Sequence, residues 1–244
     1  MDQPGLFPFV VPLGPLVCGI DEAGRGPLAG PVYAAAVVLP DDFPLDILDD
    51  SKALSEELRE SAFRVIRSRS LACAIDWAGP GEIDEWNILG ATFLAMERAL
   101  AGALAQLLGS GLASPTDILI DGNGLPPPLR GRLRDEAGAL LSCDPWGLGS
   151  LQVEGCLRGA RAQAIVRGDA LVPAIMAASI AAKVARDHAM ERFDWLYPGY
   201  GYGRHKGYPT RAHRLVVLER GPSPIQRSSF RVRVGKPDEG SKPG

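Results

Sequence analysis

The chain has 244 residues, 46% hydrophobic and 23% charged, an ordinary globular balance that allows one large domain with a sizeable core. Its formal net charge of −3 excludes a uniformly basic nucleic-acid binder but leaves room for a local basic face. The four cysteines (Cys18, Cys73, Cys143, Cys156) form no C-x-x-C pair and are scattered through a chain too large to need staples, so they read as reduced and intracellular.

No run is read as approaching the about 18 apolar residues of a membrane span. The opening MDQPGLFPFVVPLGPLVCG lacks a basic start, carries several prolines and runs into the first strand, so no signal peptide is expected and the expected address is cytoplasmic. In chain order, Val17–Asp21 reads as a short buried strand and Pro31–Leu39 as a second. After an acidic loop, Ser55 followed by Glu56 and Glu57 marks a capped helix start, with the helix running to about Arg69. Leu71–Ala78 reads as a third strand. Leu89, Phe93, Met96, Leu100, Leu104 and Leu107 recur at spacings of three and four, which predicts a helix with a core-facing stripe. Asp117–Asp121 is a fourth strand.

Residues 124–162 are irregular, with a helix expected near 129–141 and then a variable loop. Gln163–Arg167 is expected as a fifth strand, followed by Gly168 and Asp169. A long helix spans roughly 174–196, stopped by Pro198, and a last one Thr210–Arg220, capped by Thr210. Alternating strands and helices predict an α/β sheet with helices packed on it.

Three strand-like runs end at or near an acid: Asp21, Asp121 and Asp169. Ligands gather at strand ends in α/β sheets. Clustered carboxylates need protons or cations, and hard oxygen ligands suit Mg²⁺ or Mn²⁺. Each acid taken singly is equally a turn residue, and spacing alone does not decide whether the three meet. Glu22 can join Asp21 only if the strand ends or bulges there, because adjacent strand residues face opposite sides. Gly24-Arg25-Gly26 fits a backbone that approaches a phosphate, although no G-K-[ST] follows to make a nucleotide P-loop.

On the long helix, Ser179, Lys183 and Arg186 share a face and Asp187 lies one turn beyond Lys183; spacing alone favours a solvated polar stripe. Tyr200–Tyr208 interleaves aromatics with Arg204, His205 and Lys206, a pattern suited to stacking on sugars or bases and to phosphate neutralisation. From Arg204 to Lys236 nine Lys/Arg face one acid, Glu219, so the acidic average hides a basic C-terminal region. His188, His205 and His213 lack metal-site spacing and read as surface or packing residues.

Several blocks together resemble ribonuclease HII, the bacterial type 2 ribonuclease H: GIDEAGRGPLAGPVYAAAVVLP, DDSKALS, ILIDGN, VRGDALVPAIMAASIAAKVARD, YGYGRHKGYPT and GPSPIQRSSF. They occur in the family order and cover about Val17 to Phe230. The resemblance implies a ribonuclease H-like α/β fold, a mixed five-stranded sheet flanked by helices with a helical C-terminal extension. It divides the chain into a lead-in (1–16), a catalytic domain (17–197), a substrate-binding extension (198–233) and a disordered tail (234–244).

The implied activity is an endonuclease that cleaves the RNA strand of RNA–DNA hybrids and nicks 5′ of single ribonucleotides in duplex DNA, leaving 3′-hydroxyl and 5′-phosphate ends. Two Mn²⁺ or Mg²⁺ ions, a monomeric state and no membrane partner are implied as well. The family's four catalytic, metal-binding acids fall on Asp21, Glu22, Asp121 and Asp169. Gly24, Arg25 and Gly26 match the loop that contacts the 2′-hydroxyl, and Tyr208 the tyrosine that packs at the ribonucleotide–deoxynucleotide junction. Lys52, Ser179 and Lys183 are expected to contact phosphate or support the acids, and Asp187 to stand behind them.

Two departures stand out. Asp121 and Asp169 lie 48 positions apart, which marks 130–162 as an insertion, and Met176 replaces a small residue. A type 3 ribonuclease H would place a substrate-binding domain before the first acids, which here begin at residue 21. A silent binding module of this fold would have lost one of the four acids, and a phosphate-binding metabolic enzyme would leave the Tyr/Arg/Lys loop without a role.

Overall fold

The computed structural model describes residues 16–48, 54–126 and 160–232. The lead-in up to residue 15, Lys52, the tail and the helix expected near 129–141 lie outside them, as does most of the 130–162 segment. Among the described residues there are five strands: β1 (Val17–Ala23), β2 (Val32–Val38), β3 (Ala72–Ala78), β4 (Asp117–Asp121) and β5 (Arg161–Ile165). The helices are α1 (Glu56–Arg69), α2 (Pro80–Gly109), α3 (Pro173–Leu196), the one-turn α4 (Tyr202–His205) inside the expected loop, and α5 (Arg211–Arg220).

Local chemistry explains the ends. The Ser55 hydroxyl accepts the Leu58 N–H at 3.3 Å and caps α1, with Arg67 and Arg69 at the opposite end of its dipole. Thr210 caps α5 in the same way, accepting from the His213 N–H at 3.2 Å. Pro80 opens α2, where its missing N–H costs nothing. Asn87 breaks α2 with φ 57° and ψ 170°, and its Oδ1 caps the resumed helix by accepting from Leu89 N and Gly90 N.

The sheet order is β3-β2-β1-β4-β5, antiparallel from β3 to β1 and parallel from β1 to β5. One face carries Cys18, Ile20, Ala34, Ala36, Ile118 and Ile120 against α2. The other carries Ala35 and Val37 against α1 and the alanine-rich middle of α3. Phe93, Met96, Leu100, Leu104 and Leu107 are buried as the stripe predicts, but Leu89, just past the break at Asn87, is 46% exposed. One 18-residue window of α2 reaches a mean hydropathy of 1.4, enough by length and composition to cross a membrane, which departs from the expectation that no run comes close. Over half of that window, 56%, is buried inside the protein, so its apolar residues serve the sheet.

β5 also departs from expectation. It covers Arg161–Ile165 rather than Gln163–Arg167, because its limits follow the pairing with β4, Asp117↔Arg161 through Asp121↔Ile165, rather than its own apolar run. Arg167 then turns the chain in a left-handed conformation (φ 60°) into a 3₁₀ turn over Gly168–Ala170.

Gly19 lets α3 lie directly on β1, since a side-chain carbon there would overlap the backbone of Ala174 and Ile175. Gly19→Ala is expected to push α3 off β1 and to lower stability by roughly 2 kcal/mol, in the range of overpacked cores, as read by denaturant unfolding with the wild type as reference.

Candidate active site

The parallel register decides where the acids go. Ile20 of β1 pairs with Ile120 of β4, so the next residues, Asp21 and Asp121, end the two strands side by side. Asp169 arrives from the 3₁₀ turn after β5, and its N–H reaches Asp121 Oδ1 at 3.3 Å. Gly168 permits this approach, because a Cβ there would meet Ile175 Cδ1 at 2.6 Å and Asp121 Oδ1 at 3.4 Å. One carboxylate oxygen each from Asp21, Asp121 and Asp169 lies within 4.8 Å of the others.

Glu22 stands apart from this trio. β1 neither ends nor bulges at Glu22: its register with β2 is unbroken from Cys18↔Val38 to Ala23↔Tyr33. Alternation therefore puts Asp21 on the α3 side with Gly19, and Glu22 on the other. The Glu22 carboxylate pairs with Arg25 at 3.4 Å, and its charge is still felt at Asp21.

Asp21 is 4% exposed. Burial, then the charges of Glu22 and Asp121, pushes its carboxyl well above the ordinary range, against a hydrogen bond from Ser179 on α3. Burial also raises Glu22, which Arg25 opposes. A buried carboxylate among like charges is costly unless a cation joins it. The all-oxygen donor set is the kind that hard divalent ions such as Mg²⁺ and Mn²⁺ take, so the residues present fit such an ion.

The polar stripe of α3 is not solvated. Ser179, Arg186 and Asp187 are buried. Lys183 Nζ donates to both oxygens of Asp187, at 2.6 and 2.5 Å, and Arg59 approaches the same carboxylate at 3.7 Å. Burial lowers the Lys183 amine, which Asp187 opposes.

Two fully buried arginines brace the Gly24-Arg25-Gly26 loop. Arg186 donates to the carbonyls of Pro31 and Lys206, and its side chain fills the space that a Gly24 side chain would need. Gly24 also has φ 100°, a left-handed conformation that favours glycine. Arg227 donates to the carbonyls of Gly24, Arg25 and Gly30 at 2.6, 3.0 and 2.8 Å. Burial and the neighbouring Arg186 push its guanidinium down to about 9, still cationic at neutral pH.

Tyr208 is 41% exposed, its ring 5.6 Å from the Arg186 guanidinium. Its carbonyl is held by His213 Nδ1 at 3.0 Å, and His213, buried, stacks on His205 with ring centres 4.3 Å apart. His205 and His213 therefore pack, as their sequence spacing predicts. Sequence reasoning placed Arg186 in a solvated polar stripe and counted Arg227 only as positive charge. The signal for Arg227 was its place inside the otherwise apolar and small-residue run PSPIQRSSF.

The family model described as Ribonuclease HII matches residues 18–143 and 151–233. Ribonuclease HII of Treponema denticola is 44% identical over 224 residues, covering 89% of this chain and 99% of the relative. That of Bordetella pertussis is 44% identical over 230 residues, covering 94% and 96%. The solved PCNA:RNase HII complex from Archaeoglobus fulgidus matches with a TM-score of 0.63 at 24% identity, over 92% of this chain and 100% of the archaeal one.

A carboxyl raised above its unfolded value destabilises the fold at neutral pH, and the cost is relieved as pH falls through the raised pKa. Asp21→Asn is therefore expected to raise the metal-free stability at pH 7 by about 1 kcal/mol, the scale of a single stabilising substitution. The gain should shrink as pH is lowered. Added Mn²⁺ should raise the melting temperature of the wild type and leave that of the variant nearly unchanged.

Proposed function

The chain belongs to the ribonuclease HII family and is an endonuclease of the ribonuclease H type; on that premise we propose that it nicks duplex DNA 5′ of a single embedded ribonucleotide, and cleaves the RNA strand of RNA–DNA hybrids, leaving 3′-hydroxyl and 5′-phosphate ends. The observation that carries this reading is the convergence of Asp21, Asp121 and Asp169 beside a glycine loop braced from behind by two buried arginines.

In this reading Asp21, Asp121 and Asp169, together with Glu22, whose charge is felt at Asp21 and which feels that of Asp121, would hold two Mn²⁺ or Mg²⁺ ions. Such ions supply a nucleophilic water and offset charge on the leaving oxygen. The protein's own residues select and place the strand. A protein separates RNA from DNA through the 2′-hydroxyl and helix shape. The backbone of Gly24, Arg25 and Gly26 reads that hydroxyl: the loop begins two residues past Glu22, and Arg25 and Gly26 are exposed. Tyr208 lies against this loop (a Cβ on Gly26 would sit 3.8 Å from its ring) and stacks at the junction with the next deoxynucleotide.

Ser179 keeps Asp21 in place. Lys183, Asp187 and Lys52 support the acids or meet phosphate. The basic C-terminal region neutralises the duplex backbone, with affinity falling as salt rises. The protein works as a monomer in the cytoplasm.

The deciding assay uses duplex DNA with one ribonucleotide, with Mn²⁺ or Mg²⁺ present. The wild type should nick 5′ of the ribose, and Asp121→Asn should lose more than the roughly 100-fold typical of a residue merely supporting a metal ligand. A wild type that leaves the substrate whole, or a variant that cuts equally fast, overturns the reading. Tyr208→Ala should lower kcat/KM on this substrate by roughly 10- to 100-fold, the worth of one base-stacking contact, and Tyr208→Phe should restore most of it.

A further inference from the structure

The Gly24 and Arg25 carbonyls both point at the Arg227 guanidinium. In a trans peptide the N–H lies opposite the C=O. The Gly24 carbonyl shares its peptide with the Arg25 N–H, and the Arg25 carbonyl shares its peptide with the Gly26 N–H. Both N–H groups therefore face away from Arg227, on the exposed side of the loop, and among the described residues neither donates to a backbone acceptor.

Arg227 is itself held in place. Residues 225–227 run beside 28–30 through the Gly30 N–H to Ile225 O and Arg227 N–H to Leu28 O hydrogen bonds. The next two residues are clasped by Asp84 at the start of α2. Its Oδ2 accepts from the Ser228 N–H and hydroxyl at 2.9 and 2.6 Å, and its Oδ1 from those of Ser229 at 2.8 and 2.5 Å. Burial would raise the Asp84 carboxyl, but these donors bring it down to about 2, so the clasp stays charged through the neutral range. Asp84 also offsets the buried charge of Arg227.

We propose that Arg227 and Asp84 are positioning residues for ribose recognition: the Arg227 fork turns the Arg25 and Gly26 N–H groups outward toward the substrate sugar, and Asp84 locks the strap that carries the fork. This rests on the proposed reading of the loop. Lysine at 227 would keep the charge but could not meet three carbonyls in fork geometry. Asparagine at 84 would be neutral and one acceptor oxygen short.

The test compares wild type, Arg227→Lys and Asp84→Asn in three measurements: kcat/KM on duplex DNA with one ribonucleotide, the ratio of affinities for that duplex and an all-DNA duplex without divalent metal, and Mn²⁺ binding by calorimetry. Arg227→Lys should lose roughly 100-fold in kcat/KM, the scale of a small misplacement at a reacting site. Asp84→Asn should lose roughly tenfold. In both, the affinity ratio should fall toward one while Mn²⁺ binding stays at the wild-type value.

Preserved affinity ratios, with or without lower melting temperatures, would reduce the strap to a structural role and overturn the inference. Weakened Mn²⁺ binding would do the same, by moving its effect to the carboxylates. Asp84→Asn decides alone if Arg227→Lys does not fold. A wild type that leaves the ribonucleotide-containing duplex uncut overturns the proposed function, a result distinct from selective loss in the variants.

Discussion

The parallel pairing of β1 with β4 is the constraint on which the rest depends. It sets Ile20 beside Ile120 and thereby ends two strands in adjacent carboxylates, Asp21 and Asp121. The fold must accommodate their repulsion. Asp21, the most buried of the three acids that meet there, bears the largest share, and burial outweighs every other influence on its carboxyl. Nothing in the described core neutralises it; the relief offered is two hydrogen bonds, from the Ser179 hydroxyl and the Glu22 N–H. A site strained in this way is poised for cations, and sites of this kind commonly trade stability for function.

Around that centre the protein uses buried arginine as scaffolding. Arg186 and Arg227 are both essentially inaccessible to solvent. Their five donors per head group can satisfy several carbonyls at once, which a loop of glycines outside any sheet ladder would otherwise leave unpaired in the interior. Gly24 and Gly30 are glycine partly for this reason: side chains there would collide with Arg186 and with Met190. The C-terminal residues 225–230 are thus part of the loop's foundation, although they lie about 200 positions away in the chain.

Much of this was legible beforehand, and the misses share a cause. The capped helices α1 and α5 and the α3 span follow from local chemistry, so Ser55, Thr210 and the stop at Pro198 announced them. β5 was displaced by two residues because its partner, not its own apolar run, sets its ends. The α3 stripe read as solvated because helical spacing reports which residues share a face, not what covers it. Asp187 lies under Lys183 and Arg59, and Arg186 under the 24–31 segment and Lys206. Leu89 failed as a core residue: it lies in the first turn after the break at Asn87, which its spacing to Phe93 does not reveal.

The sequence by itself determined the chemical inventory: acids at the strand ends, glycines where a tight approach is required, aromatics interleaved with cations, and motif blocks specific enough to imply the family. These are properties of short stretches, and short stretches carry them without a partner. Only the tertiary structure decided which of the acids meet. Asp21, Asp121 and Asp169 converge because parallel register and the turn at Gly168 bring them together, whereas the unbroken β1–β2 ladder turns Glu22 aside. It also decided that Arg227 faces inward to three carbonyls rather than outward to phosphate. Both outcomes depend on contacts between residues far apart in the chain, which no local pattern encodes.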